Sequence, residues 1–222
     1  MNDKQHQQEK RRDATFAGEG AAPLADMPAS LSALIERAGD NRPAPPVEQW
    51  HPDFCGDIDI RIASDGTWFY QGTPILRDAL VRLFASVLRK DEDGRIYLVT
   101  PVEKLGIVVE DAPFLAVEMA FEGDAPEGDG RLVFRTNVGD LVPLDGEHPI
   151  RFALEEQTQG LKAYLRVRGR LEALIIRALM FDLVALAEEG TGDACGHYGI
   201  RSGDHFFPIC SMEELAMLEG MA

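Results

Sequence analysis

The alternation of apolar and polar positions predicts a chain built mainly from short β-strands. In the stretch DIDIRI at 57–62, isoleucines alternate with charged residues, which is the period of a strand with one buried face. Asp65-Gly66 then marks a hairpin turn, and the chain returns as a second strand through TWFY at 67–70. The runs IYLVT at 96–100 and LGIVVE at 105–110 predict another hairpin.

The first hairpin has two possible registers. A turn made only of Asp65-Gly66 places Trp68 and Tyr70 on the face of the charged residues. A longer turn with a glycine bulge shifts the register and places both aromatic residues with the isoleucines. The pattern leaves both registers open.

Helical spacing of apolar residues predicts several helices. A short helix is expected in PASLSALIERAG at 28–39. Thr73-Pro74 predicts the N-cap and first turn of a second helix, ILRDALVRLFASVLRK at 75–90. Leu76 and Leu88 are among the positions of this helix expected to face the core. The run LEALIIRALMFDLVALA at 171–187 predicts a long buried helix.

The order of these elements recurs along the chain. The stretch 131–150 matches 58–75 in kind: strand, glycine-containing turn, strand, then Pro-Ile. The long helix follows, and HYGIRSGDHFFPI at 197–209 supplies a closing hairpin, with a hairpin at 150–169 as an insertion and FLAVEMAF at 114–121 as an additional strand. We therefore predict an α+β fold of duplicated hairpin–helix–hairpin units with mostly antiparallel sheets.

Domain boundaries follow from this organisation. The chain has 222 residues, enough for more than one small domain with its own core. Residues 1–27 are polar and without period, which predicts a disordered tail with no signal peptide. We expect an N-terminal α+β domain at 28–111, including a proline-stiffened lead-in at 42–52, and a C-terminal α+β domain at 112–222.

The net charge and the number of cysteines limit which binding partners and which cellular compartment the sequence predicts. The formal net charge of −16 disfavours binding to bulk nucleic acid. Charged residues interrupt the most apolar run, 171–187, so no membrane span is predicted. The three cysteines are odd in number and scattered, which favours reduced thiols in a cytoplasm.

Candidate metal sites are weak. Asp57 and Asp59 form an isolated D-x-D pair, and spacing places no third carboxylate beside them, so a solvated outer strand face is the simpler interpretation. The loop DEDGRIYLVT at 91–100 fails the spacing of an EF-hand. A turn at Ser202-Gly203 places His197 and His205 on opposite faces of a hairpin, which argues against a shared zinc ion with Cys195 and Cys210. We expect no cofactor, no metal and no catalytic residue.

The most informative local feature is the strand KAYLRVRGR at 162–170, whose Lys162, Tyr164, Arg166 and Arg168 alternate with apolar residues. One face of this strand is basic in an otherwise acidic chain. It is either a surface strand neutralised by acidic neighbours or a site for a phosphate or carboxylate, with arginine forks and a stacking tyrosine. In the expected register, Arg151 faces Arg166 and borders the same place.

Several long stretches carry a family resemblance. These are WHPDFCGDIDIRIASDGTWFYQGTPILRDALVRLFASVLRK, YLVTPVEKLGIVVEDAPF, HPIR and LRVRGRLEALIIR. Over residues 45–210 the chain resembles the bacterial family called domain of unknown function 1285. The resemblance implies duplicated small α/β units, with a second domain similar to a pleckstrin-homology barrel with one long helix. It also implies a site in the cleft between the domains, a nucleotide-like ligand and a role in signal transduction.

Together these features predict a non-catalytic small-ligand-binding or regulatory protein whose anionic, nucleotide-like ligand lies between the two domains. A signalling protein is a further partner to consider. The expected ligand-binding residues are Asp59, Arg61, Arg77, Thr100, Glu103, Lys104, His148, Arg151, Tyr164, Arg166 and Arg168. The alternatives are a metal-assisted hydrolase that uses Asp57 and Asp59, and a protein-interaction module.

Overall fold

The computed structural model describes residues 45–123, 130–155, 158 and 160–219. The predicted tail at 1–27 and the predicted helix at 28–39 lie outside the described residues. From Pro45 to Asp53 a lead-in segment precedes the first strand and contains a 3-10 turn at Val47–Gln49. Val47 is buried in the core and Trp50 packs against it, so the lead-in is anchored to the body.

The first unit is a six-stranded sheet with one helix. The strand order is β3-β2-β1-β6-β5-β4, and all neighbours are antiparallel except β1 and β6, which run parallel. Its elements are β1 (Phe54–Ile62), β2 (Trp68–Tyr70), β3 (Thr73–Pro74), α1 (Asp78–Ser86), β4 (Leu88–Lys90), β5 (Ile96–Val99) and β6 (Lys104–Val109).

The second unit is another six-stranded sheet, with the order β10-β11-β12-β7-β8-β9. Again all neighbours are antiparallel except one central pair, here β7 and β12. Its elements are β7 (Phe114–Glu122), β8 (Arg131–Thr136), β9 (Leu141–Pro143), β10 (Ile150–Leu154), β11 (Leu161–Arg168) and β12 (Leu171–Ile175).

The two units have the same topology, because the first and last strands of each pair in parallel at the centre of the sheet. The α+β class is confirmed, but the strands correspond differently from the prediction. The strand 114–121, expected as an addition, is β7 and matches β1, and the hairpin 150–169, expected as an insertion, matches β4 and β5. The helix has no counterpart in the connection 144–149, since that segment runs from β9 to β10 without one.

A small third sheet follows the second unit. The remaining elements are α2 (Arg177–Ala185), β13 (Glu188–Glu189), a 3-10 turn at Gly192–Ala194, β14 (His197–Ser202), β15 (His205–Ser211) and α3 (Met212–Glu219). Strands β14 and β15 confirm the predicted closing hairpin, but Ser202 pairs with His205, so the turn residues are Gly203 and Asp204 and the predicted turn at Ser202-Gly203 is wrong. None of the helices in the described part of the chain is long and apolar enough to cross a lipid bilayer.

The first hairpin adopts the register with the glycine bulge. Ile60 lies opposite Tyr70 and Ile62 opposite Trp68, so the aromatic residues join the isoleucines in the core. Gly66 closes the turn with a φ of 81°, a left-handed conformation that glycine adopts without strain. Asp59 is left exposed on the outer face of the sheet.

The predicted helix at 75–90 is correct only at its centre. Thr73-Pro74 forms β3 and pairs with β2, because extended backbone is favoured before proline and Ile75 N–H donates to the Trp68 carbonyl at 2.8 Å. Leu76 is therefore 78% exposed instead of inward. At the other end, Leu88 belongs to β4, since it pairs with β5.

The predicted helix at 171–187 is also shorter than expected. Its first residues, Leu171–Ile175, form β12 and alternate between buried and half-buried positions, as in a strand covered on one face. The helix α2 begins only at Arg177. In the sheet, residues 171–175 lie between β11 and β7 and pair with both strands. This tertiary pairing makes the segment a strand, although its apolar run is compatible with either a strand or a helix.

One continuous hydrophobic core joins both units and the third sheet. Phe84 of α1 stacks on Trp68 with ring centroids 6.3 Å apart, and both residues are fully buried. Phe114 and Phe134 of the second unit and Ile200 of the third sheet belong to the same cluster. The sheets therefore stabilise one another through shared apolar burial.

A buried hydroxyl attaches the third sheet to the second unit. Ser202 is 1% exposed; its Oγ donates to the Leu144 carbonyl at 2.7 Å and accepts from the Leu132 N–H at 2.9 Å. The hydroxyl thus satisfies two backbone groups that lie away from water.

We expect Ser202→Ala to lower the free energy of unfolding by about 1–3 kcal/mol, because the Leu132 N–H is left buried without an acceptor. Chemical denaturation measures the loss. Ser64→Ala is the matched control: Ser64 is exposed, and its interaction with Glu110 uses the backbone N–H, which the variant retains. Equal stability of both variants would show that the buried hydroxyl contributes nothing.

Candidate functional site

The basic strand predicted at 162–170 is β11, and acidic partners neutralise its first half. Lys162 Nζ lies 2.7 Å from Glu155 Oε1 and 2.9 Å from Asp111 Oδ2. Hydrogen bonds to Glu155 and Asp111 raise the pKa of the Lys162 ammonium well above its usual range. The Tyr164 hydroxyl donates to the other oxygen of Asp111 at 2.8 Å. This part of the strand joins the second unit to the short connection between β6 and β7.

Arg151 also has an acidic partner on this face. Its Nε and Nη2 donate to the two carboxylate oxygens of Glu172, each at 2.7 Å, and its guanidinium lies 4.0 Å from the centre of the Tyr164 ring. The register places Arg151 opposite Tyr164, so the expected pairing with Arg166 is wrong. Arg166 is exposed and lies opposite Glu172 on β12. The outer face of the second sheet is therefore close to charge balance.

Arg168 has a structural role at the junction between the units. Its Nη1 lies 3.0 Å from Asp140 Oδ2, and its Nη2 donates to the Ala85 carbonyl at the end of α1 at 2.6 Å. The guanidinium also lies 4.9 Å from the centre of the Phe114 ring. These contacts join β11 to the first unit and engage both Nη atoms, while the buried Nε has no hydrogen-bond partner among the described residues.

The candidates from β1 and α1 lie on the surface of the first unit. Arg61 pairs with Glu110 and stacks over Phe69, with 4.1 Å between its guanidinium carbon and the ring centre. Asp59 is exposed on the same strand, and Arg77 is exposed immediately before α1. None of these contacts reaches the second unit.

The candidates Thr100, Glu103 and Lys104 share one turn, between β5 and β6. Thr100 is buried, and its hydroxyl accepts the Glu103 N–H at 3.0 Å, which closes the turn. Lys104 Nζ lies 3.2 Å from Asp91 Oδ2 and 4.8 Å from the centre of the Tyr97 ring. This turn therefore supports the first unit and reaches towards Asp91.

His148 lies in the second unit, beside Asp145. Its backbone N–H donates to Asp145 Oδ1 at 2.9 Å, and its Nδ1 lies 3.0 Å from the same oxygen. Burial acts to raise the pKa of the Asp145 carboxyl, but the hydrogen bonds from His148 and the Glu147 N–H outweigh it and hold the pKa below its usual range. The histidine thus stabilises the connection between β9 and β10.

Asp57 and Asp59 of β1 are not arranged like the ligands of a metal ion. Asp57 accepts a hydrogen bond from Arg95 Nη2, and this pair lies across the bare backbone of Gly106. Within the described ranges, no group of three or more histidine, cysteine, aspartate or glutamate residues is arranged to hold a metal ion.

An open depression of about 450 Å³ lies where the two units meet. We call it the junction depression. Three segments form it: the lead-in, the β4–β5 turn of the first unit and the β11–β12 turn of the second. Its lining residues are Glu48, His51, Arg89, Lys90, Asp91, Glu92, Asp93 and Arg170.

Arg89 organises the junction depression. Its side chain is almost fully buried, and its Nη1 donates to the Val47 carbonyl at 2.9 Å and to the Trp50 carbonyl at 2.6 Å. Its Nε donates to Asp91 Oδ1 at 2.6 Å. The guanidinium therefore holds the lead-in against β4 and orients one carboxylate of the lining, with strong charge-assisted bonds.

The rim of the junction depression carries charges that are free to rearrange. Lys90 is half-buried, and none of the described residues forms an ion pair with it. Arg170 lies 2.9 Å from Glu92, but the side chains are 55% and 88% exposed, so this pair contributes little to stability. Glu48 lies over Gly169, where a Cβ would come within 2.5 Å of its carboxylate oxygen.

An aromatic cluster adjoins the junction depression on the outer face of the first sheet. The Tyr97 hydroxyl donates to Asp93 Oδ2 at 2.5 Å, and this bond, together with burial, raises the pKa of the phenol. Phe54 meets Tyr97 edge-on, with ring centroids 6.0 Å apart. The Arg95 guanidinium lies 5.7 Å from the Phe54 ring centre and 5.4 Å from that of Tyr97.

Sequence reasoning missed all the residues that line the junction depression. The available signal is the charged run RKDED at 89–93, which the sequence pattern divides between the end of the predicted helix at 75–90 and the loop at 91–100. Glu48 and Arg170 come from distant parts of the chain, and no periodicity links them to that run. Among the expected ligand-binding residues, Lys104 contacts the lining through Asp91.

Comparisons with known proteins identify relatives for most of the chain. Residues 45–112 match the family model described as "Domain of unknown function (DUF1285), N-terminal domain". Residues 113–209 match the model described as "Protein of unknown function (DUF1285), C-terminal domain". No curated protein matches the chain.

A solved structure gives the same assignment. A crystal structure of a DUF1285 family protein from Silicibacter pomeroyi DSS-3 is 47% identical in sequence; the match covers 84% of this chain and 97% of that chain, with a TM-score of 0.73. A second, from Shewanella baltica OS155, is 30% identical over 57% of this chain and 90% of that chain, with a TM-score of 0.45.

We expect Arg89→Met to lower the free energy of unfolding by about 3 kcal/mol, because it leaves the Val47 and Trp50 carbonyls and part of Asp91 without their buried donor. Amide hydrogen exchange of the lead-in should accelerate at the same time. Arg82→Met, an exposed substitution on α1, is the control. If the two variants lose the same stability, Arg89 does not anchor the lead-in.

Asp91 should give the protein part of its acid sensitivity. Burial acts to raise the pKa of its carboxyl, but hydrogen bonds from Arg89 and Lys104 outweigh it, so the folded pKa lies below the ordinary value of about 3.9. A lowered folded pKa stabilises the protein above the unfolded pKa, and the contribution is lost as the pH falls towards the folded value.

We therefore expect the stability difference between wild type and Asp91→Asn to be largest above about pH 5 and to shrink below about pH 4. Chemical denaturation at several pH values measures it. Asp78→Asn, at an exposed position on α1, controls for the general effect of removing a carboxylate. A difference that stays constant with pH would assign the effect of Asp91 to packing.

Proposed function

We propose that this chain, which belongs to the DUF1285 family, is a non-catalytic regulatory protein that binds an anionic, nucleotide-like small molecule in the junction depression. One observation carries the proposal: the depression is lined from both units, with Lys90 from the first and Arg170 from the second. A ligand that contacts both cations stabilises one arrangement of the two units. Such a ligand-dependent arrangement suits a role in signal transduction, with the second unit as a pleckstrin-homology-like module.

The size and chemistry of the junction depression support a small polar ligand. A volume of about 450 Å³ lies within the range of small-molecule sites. The ammonium of Lys90 and the fork of Arg170 are suited to phosphate oxygens, and phosphate would replace Glu92 as the partner of Arg170. The Glu48 carboxylate is an acceptor for sugar hydroxyls, so the rim carries complementary groups for both parts of a nucleotide.

The acidity of the chain makes local contacts decisive. The net charge of −16 repels an anion at long range, and the lining itself contains carboxylates. At physiological ionic strength, however, interactions between exposed charges are screened beyond about 8 Å. Affinity for an anion must therefore come from the cations within contact distance, Lys90 and Arg170.

The lining supports binding without catalysis. It contains no serine, threonine or cysteine among the described residues, so no hydroxyl or thiol nucleophile stands beside His51. Arg89 and Asp91 are held in fixed hydrogen bonds that position the lead-in. The polar groups thus serve to orient and hold a molecule.

We expect the double variant Lys90→Gln/Arg170→Gln to weaken nucleotide binding by tenfold or more, because both phosphate-binding cations are lost while the volume of the site is kept. Thermal shift against a nucleotide panel identifies a ligand, and isothermal titration calorimetry measures its affinity for wild type and variant. Stability without ligand should change little, since the Arg170–Glu92 pair is exposed.

Arg166→Gln is the matched control. Arg166 is an exposed cation of the second unit, but it lies on the outer face of β11 and not in the junction depression. Its substitution should leave affinity unchanged. If Arg166→Gln weakens binding and the double variant does not, the ligand binds on the basic strand. If no nucleotide stabilises the wild type, the proposal fails.

A further inference from the structure

The helix α2 has one apolar side that none of the described residues covers. We call it the exposed face of α2, and it consists of Ala178, Phe181, Val184 and Ala185. These residues are three or four positions apart, which places them on one side of a helix. Met180 and Leu183 are buried in the core on the other side. A helix that is apolar all round is typically buried all round, so the exposed face of α2 lacks a covering element.

The chain itself contains an apolar stripe that matches this face. The sequence predicts a helix at 28–39, which we call the N-terminal segment and which lies outside the described residues. Its apolar stripe consists of Leu31, Leu34, Ile35 and Ala38, at the spacing of one helix side. Helices shorter than about 12–15 residues are marginally stable in water, so a helix of this length depends on packing its stripe against a partner.

The exposed face and the apolar stripe have similar lengths. The helix α2 contains nine residues and is about 14 Å long. The stripe, from Leu31 to Ala38, covers about 12 Å of a helix. The N-terminal segment can therefore lie along α2 over almost its whole length.

The connection between the N-terminal segment and the body is long enough to reach α2. Glu48 of the lead-in lies against Gly169. The helix α2 begins at Arg177, so its start lies within about 29 Å of Gly169 by the reach of an extended chain. The connection at 39–44 reaches about 25 Å when it is extended, and the length of the N-terminal segment adds to this.

The small size of the exposed face favours a tethered segment over a separate protein. Each partner of a standard protein interface buries about 800 Å². One side of a nine-residue helix offers much less than this area. A segment on a short linker has an effective concentration on the order of millimolar, so a smaller contact is sufficient to hold it.

From these features we infer that the N-terminal segment packs its apolar stripe on the exposed face of α2 within the same chain. Leu34 and Ile35, at the centre of the stripe, then cover Phe181. Because Arg89 holds the lead-in on the first unit, the docked segment makes a second connection between the first unit and the second. The inference does not rest on the proposed function, since no residue of α2 lines the junction depression.

Amide hydrogen exchange over residues 31–38 of the full chain tests the inference. In wild type these amides should exchange at least about tenfold more slowly than in a free peptide of the same sequence. Phe181→Ser and Leu34→Ser should each accelerate this exchange about tenfold, because each removes a large apolar side chain from the contact. The effect of the double variant should be smaller than the product of the two single effects, since both changes act on one contact.

Leu141→Ser is the matched control, because Leu141 is also apolar and 71% exposed but lies on β9. It should leave the exchange of residues 31–38 unchanged. Val184→Ser repeats the test at a second position of the exposed face, in case Phe181→Ser does not fold.

Four results would overturn the inference. The first is exchange at the rate of the free peptide in wild type, and the second is exchange that neither Phe181→Ser nor Val184→Ser accelerates. The third is acceleration by Val108→Ser alone, which would place the segment on the outer face of the first sheet, where Val108 is 59% exposed. The fourth is protection that increases with protein concentration, which would show that the segment comes from a second copy of the chain.

Discussion

The parallel pairing of the first and last strands is the constraint on which each unit depends. Strand β6 pairs with β1, and β12 pairs with β7, and these pairs lie at the centre of their sheets. Each unit is thereby two antiparallel meanders joined along one seam. The β4–β5 and β11–β12 turns lie at the junction between the units, where the depression forms.

Buried and half-buried arginines connect this framework to the candidate site. Arg89 ties the lead-in to β4, and Arg168 ties β11 to the end of α1. Both guanidiniums donate to backbone carbonyls as well as carboxylates, so their geometry is fixed from several directions. The rim cations Lys90 and Arg170, of which Arg170 has only an exposed partner in Glu92, lie one or two positions away from these anchored residues along the chain. A binding site is expected to have firmly held supporting residues, here Arg89 and Arg168, beside charged side chains that can adjust to a ligand, here Lys90 and Arg170.

Periodicity predicted much of the fold and little of the site. The alternation in DIDIRI and in KAYLRVRGR identified strands and their faces correctly, because a strand's period is local. Thr73-Pro74 was misread, since only its pairing with β2 makes it a strand. The sequence left open whether the basic face of β11 is neutralised, because Asp111 and Glu172, which pair with Lys162 and Arg151 on this face, are brought there by the fold.

The site lay beyond sequence reasoning for a related reason. Glu48, Asp91 and Arg170 have no common spacing, and they meet because the fold brings two turns together and Arg89 holds the lead-in beside them.

The seam has a consequence for how the chain folds during synthesis. Asp57 of β1 lies opposite Gly106 of β6, so the central contact of the first unit waits until nearly the whole unit has left the ribosome. The inner face of this unit, with Trp68 and Phe84, is covered only when Phe114 and the second sheet have been synthesised, because these residues share one core. Nascent chains that stop between the units therefore display a finished sheet with an uncovered apolar side, the state that chaperones bind.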